Sequence, residues 1–130
     1  SQYASAVSAQ PAVRAFLLDM QRDMAKHFNV IMDGRDIGTV VLPDAQAKIF
    51  LTATPEDRAS RRCAELEDRG TPQDYETVLA EIVERDRKDS TRAAAPLRRA
   101  EDAVLVDTTG KSLDESFAIL LDAIRRKLEA

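Results

Sequence analysis

Apolar residues recur at the spacing of one helical face in three stretches of the chain, and they gather into short runs in three others. Val13, Phe16, Leu17, Met20 and Met24 make the first face, with Pro11 suited to a first helical position and the helix running to about His27. Tyr75, Val78, Leu79, Ile82 and Val83 make the second, and Leu113, Phe117, Leu120, Leu121, Ile124 and Leu128 the third. The runs at 29–32, 48–52 and 104–107 read as short buried strands. Between them lie helix starts with a mechanism. Thr54 with Asp57 and Pro55 opens a helix that Gly70 closes; Thr71, Pro72 and Asp74 open another, ending near Ala93 before Pro96; Ser112 with Glu115 forms a capping box. Residues 1–10, rich in Ala and Ser, fit a short helix or a disordered stretch. The alternation of helices and strands is α/β, and short apolar strands joined by helices imply a parallel sheet whose ligands bind beyond the strands' carboxyl ends. The stretch Asp33 to Thr39, with two glycines and three charges, is expected to be a loop at such an end.

The second helical face changes character along its length. Carrying its phase onward from Val83 lands on Arg85, Asp89 and Arg92. Charges that point where a core should be need partners, and Arg forks flanking a carboxylate suit a ligand bearing phosphate and hydroxyl groups. A helix end carrying surface ion pairs, worth only ~0.2–1 kcal/mol each, accounts for the same residues.

Composition narrows the choices. The 130 residues, 44% of them hydrophobic, suit one domain with one core. A net charge of −4 with both signs interspersed offers no basic stripe for a polymeric nucleic acid. Arginine supplies 14 of the 19 basic residues, which favours planar recognition of small anions. Cys63, the only cysteine, excludes an intrachain disulfide, fits a reduced compartment and reads as a packed helix residue. His27, the only histidine, suits the negative end of a helix dipole and leaves no room for a His-rich zinc site. Nothing in the pattern reads as a membrane span or a signal peptide, so a soluble, cytoplasmic protein is the expectation.

Gly34-Arg35-Asp36-Ile37-Gly38-Thr39-Val40-Val41, Pro43-Asp44-Ala45, Arg58-Ala59-Ser60-Arg61-Arg62 and Glu84-Arg85-Asp86-Arg87-Lys88-Asp89-Ser90-Thr91-Arg92 with Ala95-Pro96-Leu97 together resemble the bacterial cytidylate kinases, in order and over nearly the whole chain. The resemblance implies transfer of the terminal phosphoryl group of ATP to CMP or dCMP, with Mg2+ as cofactor, on the parallel sheet and flanking helices of the P-loop nucleoside monophosphate kinases. No Gly-x-x-x-x-Gly-Lys-Ser/Thr occurs here. The expectation is therefore that residues 1–130 form the carboxyl-terminal part of one kinase domain, with a short lid around 58–72, an incomplete sheet lacking its central phosphate-loop strand, and little activity alone. The missing amino-terminal half, or another copy, would complete the sheet.

By resemblance, Arg14 and Asp36 read the cytosine edge, Ser5, Arg85 and Asp89 hold the ribose hydroxyls, and Arg35 and Arg92 hold the monophosphate. Arg58, Arg61 and Arg62 match the lid, where arginines offset charge developing in phosphoryl transfer; Arg58, Arg61 and Arg92 are the catalytic candidates. Asp107-Thr108-Thr109 would border the adenine pocket, and no metal ligand is assigned. A noncatalytic nucleotide- or phosphate-binding module, or a helical interaction protein with merely solvated charges, are the alternative readings.

Overall fold

The computed structural model describes residues 2–130, the side chains of Gln2 and Ser5 excepted. Helices α1 (Gln2–Ser8) and α2 (Pro11–His27) lead through an irregular segment into a π-helical turn, Ile37–Val41; strand β1 (Ile49–Thr52), helices α3 (Pro55–Asp68) and α4 (Tyr75–Thr91), strand β2 (Val104–Asp107) and helix α5 (Leu113–Glu129) follow. β1 and β2 pair in parallel, with Ile49 opposite Val104 and Thr52 opposite Asp107, and the α3–α4 hairpin makes the crossover between them. The result is a mixed α/β structure with a small parallel sheet and flanking helices.

The helix ends obey local chemistry. Thr54 accepts a hydrogen bond from Asp57 N, Asp74 from Thr77 N, and Ser112 from Glu115 N while the Glu115 carboxylate accepts from Ser112 N. After α3, Thr71 N donates to Leu66 O and Gly70 N to Glu67 O, a Schellman closure that needs Gly70 at φ +72°. The closure turns α4 back along α3. Ala59, Leu66 and Val78 are buried between the two helices, with Cys63, Tyr75, Leu79 and Ile82 packed around them. That packing agrees with an inert reading of Cys63. α5 lies across both strands through Leu120, Leu121, Ala123 and Ile124, all half-buried.

Four expectations from the pattern are corrected. Residues 29–32 form no strand, because a strand persists only where its backbone groups are paired and β1 bonds only to β2 among the described residues; Ile31 is 98% exposed. The end of the expected loop, residues 37–39, belongs instead to a π-helical turn that runs over Ile37–Val41. On α2 the side turned to the rest of the molecule carries Arg14, Leu17, Leu18, Gln21 and Arg22, whereas Phe16, Met20 and Met24 are exposed. The arginines on that side find fixed carbonyl and carboxylate acceptors, and charge-assisted hydrogen bonds of that kind outweigh a few partly covered methylenes. On α5 the outer members of the expected face, Leu113, Phe117 and Leu128, are exposed, since two strands are too narrow to cover the helix.

Val78, 2% exposed, is the most deeply buried large side chain of the hairpin core. Val78→Ala is expected to lower stability by about 2 kcal/mol, seen as a reduced denaturant midpoint at unchanged slope.

Candidate functional site

The segment between α2 and β1 carries the first group of charged residues. Gly34 is required there by close approach: a Cβ at this position would stand 2.9 Å from Ile37 Cγ1. The chain then turns through Arg35 and Asp36 into the π-helical turn, where Val40 N and Val41 N both donate to Asp36 O and Leu42 N donates to Ile37 O. This fixes the Asp36 backbone. Its side chain, largely buried, accepts from Arg14 Nη2 at 3.0 Å. The pair lines a recess of about 200 Å³ between α2 and the turn, shared with Ser8, Leu18, Gln21 and Val40.

Arg35, the neighbour of Asp36, points the other way. Its Nε donates to Asp89 Oδ2 at 2.9 Å, which brings the turn to the carboxyl end of α4. Arg85 approaches the same carboxylate at 4.0 Å and is mostly exposed. Arg92, the carboxyl cap of α4, donates from Nε to Ala95 O at 2.7 Å, and Leu97 N donates to Asp89 O. Ala95 adopts φ 47°, a left-handed conformation uncommon outside glycine and more so before Pro96. The strained residue holds its carbonyl against Arg92.

The three arginines of α3 diverge. Arg58 donates from Nε to Ala53 O and binds Asp86 of α4 bidentately, Nη1 at 3.0 Å and Nη2 closer still. Arg61 spans from Asp57 to the loop after β2, donating to Thr108 O at 2.5 Å and Thr108 Oγ1 at 3.2 Å. The Asp57 contact is an ion pair without hydrogen-bond alignment, Asp57 Oδ2 having no hydrogen-bond partner. Arg62 is solvated and paired with Glu65.

The helical phase of α4 differs by one residue from the expected one. From Ile82 the half-buried stripe passes to Asp86 and Asp89, while Val83 and Arg85 face solvent, as 3.6 residues per turn dictate. Asp86 is thus the residue the sequence reading missed, although it stands four residues after Ile82. The bonds from Arg58, reinforced by the nearby charges of Arg35 and Arg85, hold its carboxyl below the ordinary aspartate range despite partial burial. Arg58 is correspondingly raised, chiefly by the same hydrogen bonds. Two further residues were missed. Arg22 donates to Val41 O at 3.0 Å and Val40 O at 2.7 Å; its signal was the spacing of eight from Arg14. Lys48, 9% exposed, pairs with Asp102 at 2.9 Å, bonds Pro43 O and packs its stem on Gly38; a lone Lys before an apolar run gives no sequence signal.

Of the residues expected at a site, Arg14 meets Asp36, Arg35 and Arg85 meet Asp89, and Arg92 stands one turn beyond Asp89; Arg58 and Arg61 bind elsewhere, and Ser5 has its side chain outside the described residues. Among the described residues no group of three or more His, Cys, Asp or Glu is placed to hold a metal ion, and no helix is long and apolar enough to cross a membrane.

A family model described as cytidylate kinase matches residues 1–126. The chain belongs to the cytidylate kinase family. It is 52% identical over 127 residues to a cytidylate kinase of Carboxydothermus hydrogenoformans, covering 98% of this chain and 57% of the relative. A cytidylate kinase of Mycobacterium leprae is 52% identical over 128 residues, with the same coverage, and one of Thermosipho melanesiensis is 48% identical over 125 residues, covering 96% of this chain and 58% of the relative. The chain thus spans rather more than half the length of the curated relatives it matches.

Asp86 is set by its partner, which gives a pH test. A carboxylate whose pKa is lowered on folding adds stability at pH values above its unfolded pKa of ~3.9, and that stability is lost as pH falls through the folded value. Arg58→Met is expected to return the Asp86 titration, followed by side-chain NMR, towards the ordinary range and to remove that part of the acid dependence of unfolding.

Proposed function

We propose that this chain supplies the CMP-binding side and the lid of a cytidylate kinase, as its carboxyl-terminal portion, and that the complete enzyme transfers the terminal phosphoryl group of ATP to CMP or dCMP, giving ADP and CDP or dCDP. The observation that carries this reading is the Arg14–Asp36 pair on the wall of the recess, with Arg35 next in the chain and bound to Asp89. Family membership supports it independently.

The chemistry follows from donor and acceptor patterns. Asp36 accepts from the exocyclic amino group of cytosine, while Arg14 donates to the ring nitrogen and carbonyl. Uracil sets an oxygen against the Asp36 carboxylate, an acceptor facing an acceptor, and sites that leave such groups unpaired discriminate by ~10⁴ or more. Ser5, Arg85 and Asp89 engage the ribose hydroxyls, and Arg35 and Arg92 the monophosphate. A phosphate oxygen of CMP then forms a bond to the γ-phosphorus of ATP, and the bond from that phosphorus to the bridging oxygen breaks as ADP leaves. Positioning and electrostatic stabilisation carry such a transfer, so no residue here acts as a strong general base. Arg58 and Arg61 close on the phosphates by exchanging Asp86 and Thr108 for phosphate oxygens, one set of charge-assisted acceptors for another. Mg2+ would be held chiefly by the ATP phosphates, where it would offset their charge.

The sequence holds no Gly-x-x-x-x-Gly-Lys-Ser/Thr, and for that reason the chain alone is proposed to bind CMP without turning it over. A phosphate-loop strand from the amino-terminal half fits between residues 29–32 and β1. The unpaired run at 29–32, the exposure of Ile31 and Leu51 and the open edge of β1 support that place.

The test joins the chain to the amino-terminal portion of a cytidylate kinase. The joined protein is expected to phosphorylate CMP far faster than UMP, the chain alone neither, and Asp36→Ala to erase the preference; equal turnover of the two nucleotides by the unaltered protein rejects the base assignment. Arg92→Ala in the same protein is expected to cost about 1.5–3 kcal/mol in kcat/KM for CMP and for UMP alike, because the monophosphate is common to both.

A further inference from the structure

We infer that Arg22 is a positioning residue for nucleotide selectivity: it clamps the carboxyl end of the π-helical turn that aims Asp36 at the base. The inference rests on the cytosine-reading role proposed for Asp36.

A single π-turn is a poor structure by itself. Its backbone bonds skip one residue more than an α-helix, it is rare, and its last carbonyls point out of the turn with no partner inside it. Here those orphan acceptors are Val40 O and Val41 O, and both are taken by one side chain, Arg22, through Nε and Nη2. These two donors lie along one edge of a rigid planar fork, so the pair of bonds fixes the relative orientation of two consecutive peptide groups. The same two residues donate their N–H groups to Asp36 O, Val40 at 2.8 Å and Val41 at 3.1 Å. The peptide unit that accepts from Arg22 through Val40 O donates through Val41 N to Asp36 O, and the next unit, which accepts through Val41 O, donates through Leu42 N to Ile37 O, so Arg22 is linked to the Asp36 and Ile37 carbonyls through two successive peptide units.

The other end of the turn is held from the same helix. Arg14, two turns before Arg22 and about 12 Å away along α2, binds the Asp36 carboxylate itself. α2 thus grips the turn at both ends, the carboxylate by Arg14 and the closing carbonyls by Arg22. The Lys48 stem packs on Gly38 midway, and Val41 is buried. Without Arg22, two half-buried carbonyls lose their donors, the i+5 bonds from Val41 N to Asp36 O and Leu42 N to Ile37 O lose their support, and the Asp36 carboxylate is free to swing with its backbone. A donor–acceptor match to a base tolerates little such freedom.

The test uses the joined, kinase-competent protein described above and compares Arg22→Met, Arg22→Lys and Asp36→Ala. Arg22→Met is expected to reduce the CMP-to-UMP ratio of kcat/KM by about ten-fold, as the loss of a charge-assisted anchor implies, and to speed amide exchange at Val41 and Leu42. Arg22→Lys, which keeps the charge and stem but not the fork, is expected to recover part of both. In the double variant with Asp36→Ala, Arg22→Met is expected to change the ratio no further. A ratio unchanged by Arg22→Met, or an equal loss for both nucleotides, overturns the positioning role. If instead Asp36→Ala leaves the ratio unaltered while Arg22 is intact, the base assignment itself falls, an outcome distinct from failure of Arg22 alone.

Discussion

Charge-assisted contacts between distant segments join the parts of this molecule. A cluster of buried apolar residues, Ala59, Leu66 and Val78, lies in the α3–α4 hairpin, with Val41, Ala53, Ala103 and Val106 buried outside it. The elements are tied further by Arg14 to Asp36, Arg35 to Asp89, Arg58 to Asp86 and Lys48 to Asp102, each pair at least 22 residues apart in sequence. None of these pairs lies fully in the interior, so each adds modest stability; what they add is geometry. An arginine fork held by a carboxylate has one orientation, and a chain of such forks sets where α2, the π-turn and α4 stand relative to their own charges.

That arrangement connects fold to chemistry. A site for a nucleotide needs cations for phosphate and mixed donors and acceptors for the base, and such groups cannot be packed in oil. The polar groups of the proposed site stand at the ends of elements: Asp36 at the start of a turn, Asp89 and Arg92 at the close of α4, Thr108 after β2. Asp36 and Asp89 each partner an arginine. Under the proposed function, binding would exchange acceptors instead of exposing a bare charge, which would keep the reorganisation small. Ala95, with its left-handed backbone, marks the one place among these ends where strain is retained, and its carbonyl orients Arg92.

The exposed apolar residues belong to the same logic. Ile31 lies in the unpaired run at 29–32, and Leu51 on β1, which pairs with β2 alone among the described residues; Phe117 and Leu128 are exposed on α5. Under the proposed function, such unpaired edges and apolar residues are the surfaces on which the amino-terminal portion would pack.

Helices α2 to α5 and the strands at 49–52 and 104–107 were legible in the sequence, because caps and periodicity act over four residues and need no distant partner. The Gly-Arg-Asp segment and the Asp89–Arg92 end of α4 stood out through their resemblance to the cytidylate kinases, not through caps or periodicity. What tertiary structure alone decided were matters of pairing and phase. Residues 29–32 have strand composition but no adjacent strand to bond, and composition cannot supply one. The inward stripe of α4 continues to Asp86 rather than Arg85 because Arg58, 28 residues earlier, waits at that height. The packed side of α2 is the one with two arginines because the π-turn presents carbonyls there, and a π-turn follows from contacts with Arg22 and Lys48 that no local rule encodes. Local propensity writes the elements; which of their faces meet is settled by acceptors and donors far away along the chain.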